Sequence, residues 1–224
     1  MSSGIKAIVP VRSGSVRVAN KNLAPFASSN LLEIKVRQLL QVRGLDEVCV
    51  SSNDPEMLAC AARLGARAIP RDPYYASNTV PMSEVYAYMA SQLDSELVLL
   101  THVTNPLAGI RAYEAAIQTF AANRAGHDSL TTVGKVLEFL YLNGKAMNYD
   151  PRNKPRSQDL PNIVKLTHAI SILPRHLMIE RKDAMGETPF FMELSQLESM
   201  DIDTPLDFEI AEFIYKKAVL AGTI

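Results

Sequence analysis

Residues 12–22, RSGSVRVANKN, place three cations, two hydroxyls and a glycine in one short stretch. Arg12, Arg17 and Lys21 carry enough positive charge to neutralise several phosphate oxygens. Ser13 and Ser15 offer hydroxyls, and Gly14 allows close approach of the backbone to a ligand. The set suits a polyphosphate, and it suits a solvated basic turn equally well; spacing alone does not separate the two. The stretch is neither GxGxxG nor GxxxxGK[ST], which argues against a nicotinamide dehydrogenase and a P-loop ATPase. A second set, Asp201-Ile202-Asp203, lies near the other end. In extended backbone, residues two apart share a face, so both carboxylates would look into one cavity with Ile202 packed behind them. Hard oxygen ligands of this kind suit Mg²⁺ that is also held by substrate phosphates. Two acids favoured by the dipole of a following helix are the simpler alternative. Among the histidines, His127 and His176 lie in polar surroundings. His102 and His168 lie at or near the ends of apolar strands, where either could face a ligand or be a satisfied structural group. No HExxH spacing occurs, and Cys49 and Cys60 form no CxxC pair, so both read as small core residues.

The hydrophobic pattern supplies elements to hold these groups. A β-rich apolar run at 5–11 ends at the basic loop, and residues 31–42 carry apolar side chains at helical spacing. A strand at 47–52, a helix opened by Asp54-Pro55 and closed by Gly65, and a strand at 67–70 follow. Next come a helix at about 82–93, a strand at 97–101 and a helix at 109–123. After about residue 137 the pattern loosens into an aromatic and Pro/Asn/Arg-rich stretch, read as a protruding excursion over 137–163. A return strand at 164–173, a short strand at 189–193 and a helix at 205–221 complete the chain. Thr204 is its N-cap, and Leu206, Ile210, Phe213, Ile214 and the Lys217 stem form its expected apolar face. Alternating βα units predict one α/β domain over 1–224, a mostly parallel, Rossmann-like sheet covered by helices on both faces. The basic loop then lies outside the carboxyl end of the first strand, where such sheets bind ligands.

The 224 residues are 47% hydrophobic and 21% charged, enough for one substantial core. Lys and Arg number 23 against 24 Asp and Glu, a net charge of −1, which leaves no basic excess for binding nucleic acid. The first apolar run is too short to span a bilayer and no signal-peptide pattern follows it, so the expectation is a cytoplasmic protein without membrane or nucleic-acid partners.

Taken in order, IVPVRSGSVRVANKNL, VSSND at 50–54, RDPYYASN from Arg71, THVTNPL at 101–107 and ESMDIDTPLDFEIAE at 198–212 resemble the motifs of the CMP-N-acylneuraminate cytidylyltransferase family. The resemblance runs nearly end to end. It implies a nucleotide-diphospho-sugar transferase fold, transfer of CMP from CTP to a sialic-acid-like sugar acid with release of pyrophosphate, dependence on Mg²⁺, and a homodimer with the excursion at its interface. Carried over by position, Arg12, Ser13, Gly14, Ser15, Arg17, Lys21 and Asn22 surround the nucleotide and its phosphates, and Arg71 with Ser77 encloses the cytidine. Asp201 and Asp203 hold metal. Arg12, Lys21 and Asp201 are the expected catalytic set, and His102, Thr104, Arg156, Lys165, Thr167 and His168 are the expected acceptor contacts. Four departures stand out. Val16 replaces the family lysine after Gly-Ser, His102 replaces a glutamine, Ala108 replaces the arginine that often follows Pro-Leu, and Thr167-His168-Ala169 replaces Asn-Gly-Ala. A catalytically silent binding protein of the same fold, or a nucleotidyltransferase using another nucleotide or acceptor, remains as an alternative.

Overall fold

The structure is a computed structural model that describes residues 2–15 and 17–222. The replacement at Val16 therefore lies outside the described residues. Strands β1 (Ser2–Pro10), β2 (Glu47–Ser52), β3 (Arg67–Pro70) and β4 (Ser95–Leu100) alternate with helices α1 (Leu31–Leu39), α2 (Pro55–Leu64) and α3 (Met82–Ser91). Then follow α4 (Ile110–Asn123), β5 (Ser129–Val136), the short strands β6 (Tyr141–Leu142) and β7 (Lys145–Ala146), and β8 (Ile163–Pro174). Helix α5 (Arg175–Arg181), β9 (Pro189–Glu193) and α6 (Pro205–Leu220) end the chain.

Seven strands form one sheet in the order β3-β2-β1-β4-β8-β5-β9. All neighbours are parallel except β8, which runs antiparallel to both β4 and β5. Alternation along each strand feeds two cores: Ala7, Val9, Val48 and Val50 point to one face, Ile8 and Cys49 to the other. Because both faces are covered, the central strands read as unbroken apolar runs. The first core receives α1, α2, α4 and α6, with Leu31, Met57, Tyr113 and Ala211; the second receives α3 and α5, with Met89 and Met178.

Besides the short strands β6 and β7, two elements escape the sequence pattern. β5, SLTTVGKV, lies deep in the sheet, but its Thr131 and Thr132 are satisfied by Ser171 and Thr167 hydroxyls, so no apolar run marks it. α5 has seven residues and buries only Met178. The expected apolar face of α6 is corrected: Leu206, Ile210 and Phe213 are exposed, while Phe208, Ala211 and Tyr215 face the core. Phe208 and Tyr215 meet Phe26 edge-on at ring separations of 5.2 and 5.6 Å. Residues 137–163 carry the β6–β7 hairpin, in which Phe139 packs on Tyr149 at 4.8 Å and Lys154 lies over the Phe139 ring.

The start of α6 is closed on both sides. The Asp207 backbone N–H donates to Thr204 Oγ1, and Asp207 Oδ2 accepts from the Thr204 and Asp203 backbone N–H groups. Thr204→Ala should lower stability by about 1 kcal/mol, read as a shift in the urea midpoint, with Thr204→Ser restoring it. An unmoved midpoint in Thr204→Ala would show that the cap contributes nothing.

Candidate active site

Chain connections leave β1 toward β2 on one side, and β4 occupies the other, so the carboxyl ends of β1 and β4 border an open crevice at the point where strand order reverses. Register places Ile8 opposite Leu100, which sets residues 11–12 beside 102–103. Two chambers meet there and share Pro10, Val11, Arg12 and His102. One, of ≈ 330 Å³, is lined by Ser15, Arg17, Lys21, Asn22 and Thr104. The other, of ≈ 280 Å³, is lined by Arg71, Tyr75, Ser77, Asn78 and apolar side chains from α3.

Arg12 stands between them. Its guanidinium donates to the Ala76 carbonyl at 2.9 Å and to Asn78 Oδ1 at 2.6 Å, bracing the turn at 73–78 that roofs the second chamber. The basic loop is held from below: buried Asn22 donates to the Arg12 carbonyl, and Asn53 exchanges hydrogen bonds with the Ser13 backbone and hydroxyl. Gly14 adopts φ 80°, which glycine takes without strain. Arg71 is buried, donates to Ser51 through two nitrogens, and is pushed down to about 10 by burial. Its cationic edge borders the apolar chamber.

Lys21 donates to the Ile202 carbonyl at 2.6 Å, which ties the basic loop to the acidic segment. Burial lowers its pKa, opposed by the nearby charges of Asp201 and Asp203. Ile202 is fully buried, and the two aspartates flank it as the alternation predicts. Burial raises the Asp201 carboxyl; Asp203 adds to the rise, while the Thr104 hydroxyl and Lys21 oppose it. Asp201 Oδ1 is buried without a hydrogen-bond partner among the described residues. Asp203 pairs with Arg17 at 2.9 Å, both side chains being largely exposed. An exposed pair of this kind is worth little and exchanges readily, so each partner remains available to a ligand.

On the far side, His102 and His168 meet edge-on with ring centroids 6.2 Å apart. His168 holds φ 55°, in the left-handed region that favours glycine, and its ring is exposed beside Asp201. Thr167 turns inward and bonds Thr132, so it shapes the backbone under His168 and presents no hydroxyl to the crevice. Lys165 is exposed farther along β8, and Arg156 lies in the 137–163 stretch, paired with Asp159 at 2.7 Å; neither lines the two chambers. Four residues outside the expected set emerge: Asn53, Tyr75, Asn78 and Asn105. VSSND, RDPYYASN and THVTNPL already contained them, but nothing in the sequence separates an asparagine that props a loop from one that merely follows a strand.

A family model described as cytidylyltransferase matches residues 6–221. The chain belongs to the cytidylyltransferase family. Its relatives include pseudaminic acid cytidylyltransferase of Campylobacter jejuni, 27% identical over 93% of this chain and 95% of that protein. The N-acylneuraminate cytidylyltransferase A of Danio rerio is 21% identical over 94% of this chain and 50% of its own length. Among solved structures, CMP:2-keto-3-deoxy-manno-octonic acid synthetase complexed with CTP superposes with a TM-score of 0.71 at 16% identity, covering 96% of this chain and 99% of that one. This cytidylyltransferase is thus a CTP-dependent enzyme, built on the expected Rossmann-like sheet. Among the described residues no helix is long and apolar enough to cross a membrane.

His102 in this cytidylyltransferase is pushed down to about 4, first by burial and then by His168 and the surrounding cations. Between pH 6.5 and 4 the unfolded chain binds a proton that the folded chain refuses, so this group costs stability as pH falls through that window. His102→Asn should flatten the fall by about 1–3 kcal/mol, measured by urea unfolding at pH 4.5 and 7. Identical pH slopes in the two proteins would contradict this.

Proposed function

We propose that the enzyme joins CMP from CTP to a nonulosonic acid of the pseudaminic or sialic type, releasing pyrophosphate. The observation that carries the reading is the crevice itself, in which a half-apolar chamber edged by Arg71 adjoins a cationic chamber bordered by Lys21 and the Asp201–Asp203 segment. The cytosine and ribose fit the chamber edged by Arg71 and the phosphates the cationic one. The names of relatives aligned over nearly the whole chain support an acid acceptor.

In this reading an acceptor hydroxyl attacks the α-phosphorus of CTP and gives up its proton to solvent water. A new P–O bond forms to the sugar, and the bond from the α-phosphorus to the bridging oxygen breaks as pyrophosphate departs. Lys21 and Arg17 neutralise the charge that collects on the leaving group, and Arg12 fixes the nucleoside chamber so that the phosphorus presents one face. The donor set fits a hard cation: among the described residues Asp201 Oδ1 is buried and unpartnered, and the Asp203 carboxylate is held by an exposed ion pair. Asp201 and Asp203 would hold Mg²⁺, with phosphate oxygens and waters completing its shell. When bound, the ion would add positive charge at the phosphates.

The acceptor lies toward His102, Thr104 and His168, with Lys165 and Arg156 as cations for its carboxylate. Histidines at 102 and 168 favour an acid other than N-acetylneuraminate. The test is pyrophosphate release with CTP, Mg²⁺ and separately pseudaminate, legionaminate, 3-deoxy-octulosonate and N-acetylneuraminate. Turnover is expected with one of the first two, and Asp201→Asn should lower kcat by about 10²–10³. Best turnover with N-acetylneuraminate would reject the altered acceptor pocket; no turnover with any acid would reject the reading.

We also propose a homodimer that uses the 137–163 stretch, where Leu137, Tyr141, Leu142 and Met147 are exposed on a structure too small to bury them itself. Sedimentation at micromolar concentration should give twice the chain mass of 24.7 kDa. A 24.7 kDa species would overturn the dimer.

A further inference from the structure

Lys35 lies in the middle of α1 and is completely buried. Its Nζ donates to the Asn105 carbonyl at 2.9 Å and to the Tyr113 hydroxyl, which is in turn bonded to Thr101 Oγ1 at 2.8 Å. One helical turn on, Gln38 donates to the Pro106 carbonyl at 3.0 Å. Helix α1 thereby grips two successive carbonyls of the loop between β4 and α4. Among the described residues no carboxylate pairs with the amine, and burial pushes it down to about 7. Tyr113 from α4 and His102 from the loop are the titratable groups that face it. A methionine would fill similar volume without the cost of desolvating an amine, so a residue of this kind calls for a reason.

The hydrogen bonds that leave the loop supply one. Asn105 is itself fully buried, and its Nδ2 donates to the Met200 carbonyl at 3.0 Å and to the Thr167 carbonyl at 3.2 Å. The Ile202 backbone N–H donates to the Thr104 carbonyl at 2.9 Å. Asp201 is therefore pinned on both flanks, at 200 and at 202, by two adjacent loop residues. The backbone before His168 is pinned by the same asparagine.

We infer that Lys35 is a positioning residue for the transfer reaction, acting through the Asn105 carbonyl to fix the loop that holds Asp201 and the His168 backbone in register with the crevice. It touches neither substrate nor any reacting atom. The kinetic half of this inference rests on the proposed function; the structural half does not.

The experiment compares the full-length wild type with Lys35→Met, which keeps bulk and removes both donors, and Lys35→Gln, which keeps an N–H. Backbone hydrogen exchange is followed at 101–107 and 200–203, with β1 and β2 as internal references. Pyrophosphate release is measured with CTP and whichever sugar acid the wild type accepts. Lys35→Met should lose protection at the Ile202 amide at least about tenfold with β1 and β2 unchanged. Its kcat should fall about 10–100-fold while KM for CTP stays within about threefold, and Lys35→Gln should recover part of both. Protection and kcat within twofold of wild type would overturn the inference, as would protection lost evenly across the sheet with kcat and KM moving together. Should the wild type turn over no acid, the proposed function falls and hydrogen exchange alone decides: loss confined to 101–107 and 200–203 supports the role of Lys35, and any other pattern rejects it.

Discussion

The parallel pairing of β1 with β4 is the constraint from which the remaining architecture follows. Once β2 has been laid on one side of β1 and β4 on the other, no connection crosses the gap between their carboxyl ends. Apart from what β8 carries, the groups with chemistry are then delivered to that gap by chain segments that have left a strand and not yet entered a helix. The loop after β1 brings cations, the loop after β4 brings His102 and Thr104, and antiparallel β8 brings His168 back from the opposite direction. The reversal of β8 matters: a parallel strand at that place would end at the crevice, whereas β8 passes it in mid-course and needs an irregularity to present a side chain there. The register shift between Thr131 and Val133 in its pairing with β5 supplies that irregularity.

A second layer of organisation is polar and buried. Asn22, Asn53 and Asn105 each prop a loop whose neighbours do the binding, and the Lys21–Ile202 hydrogen bond spans 181 residues of sequence. Such bonds add little net stability one by one, but leaving any partner unsatisfied in the interior is expensive, which makes the arrangement close to all-or-none. The site is thereby rigid where atoms must be aimed. At its rim, where Arg17 meets Asp203, it is held by a contact that solvent already weakens.

Much of this was legible in the residues, and the failures have physical causes. Strands β1, β2 and β4 read clearly because both faces are buried and apolar. β5 did not, since its buried threonines are paired with other hydroxyls and so imitate a loop in composition. In α6 the exposed stripe at 206, 210 and 213 is as apolar as the buried one at 208, 211 and 215, so hydropathy could not choose between faces. The basic loop and the Asp-Ile-Asp alternation were readable from side-chain chemistry. The roles of Asn105 and Lys35 were not, because a lysine in an amphipathic helix is normally on the wet side and only tertiary packing turns this one inward.

His168 carries a consequence for anyone who would improve the protein. A side chain held at φ 55° sits uphill of glycine by about 1 kcal/mol. Selection for thermal resistance alone would therefore favour His168→Gly and be rewarded for it, while discarding the imidazole beside Asp201. A screen that scores only survival on heating would thus select against the ring that stands beside that carboxylate.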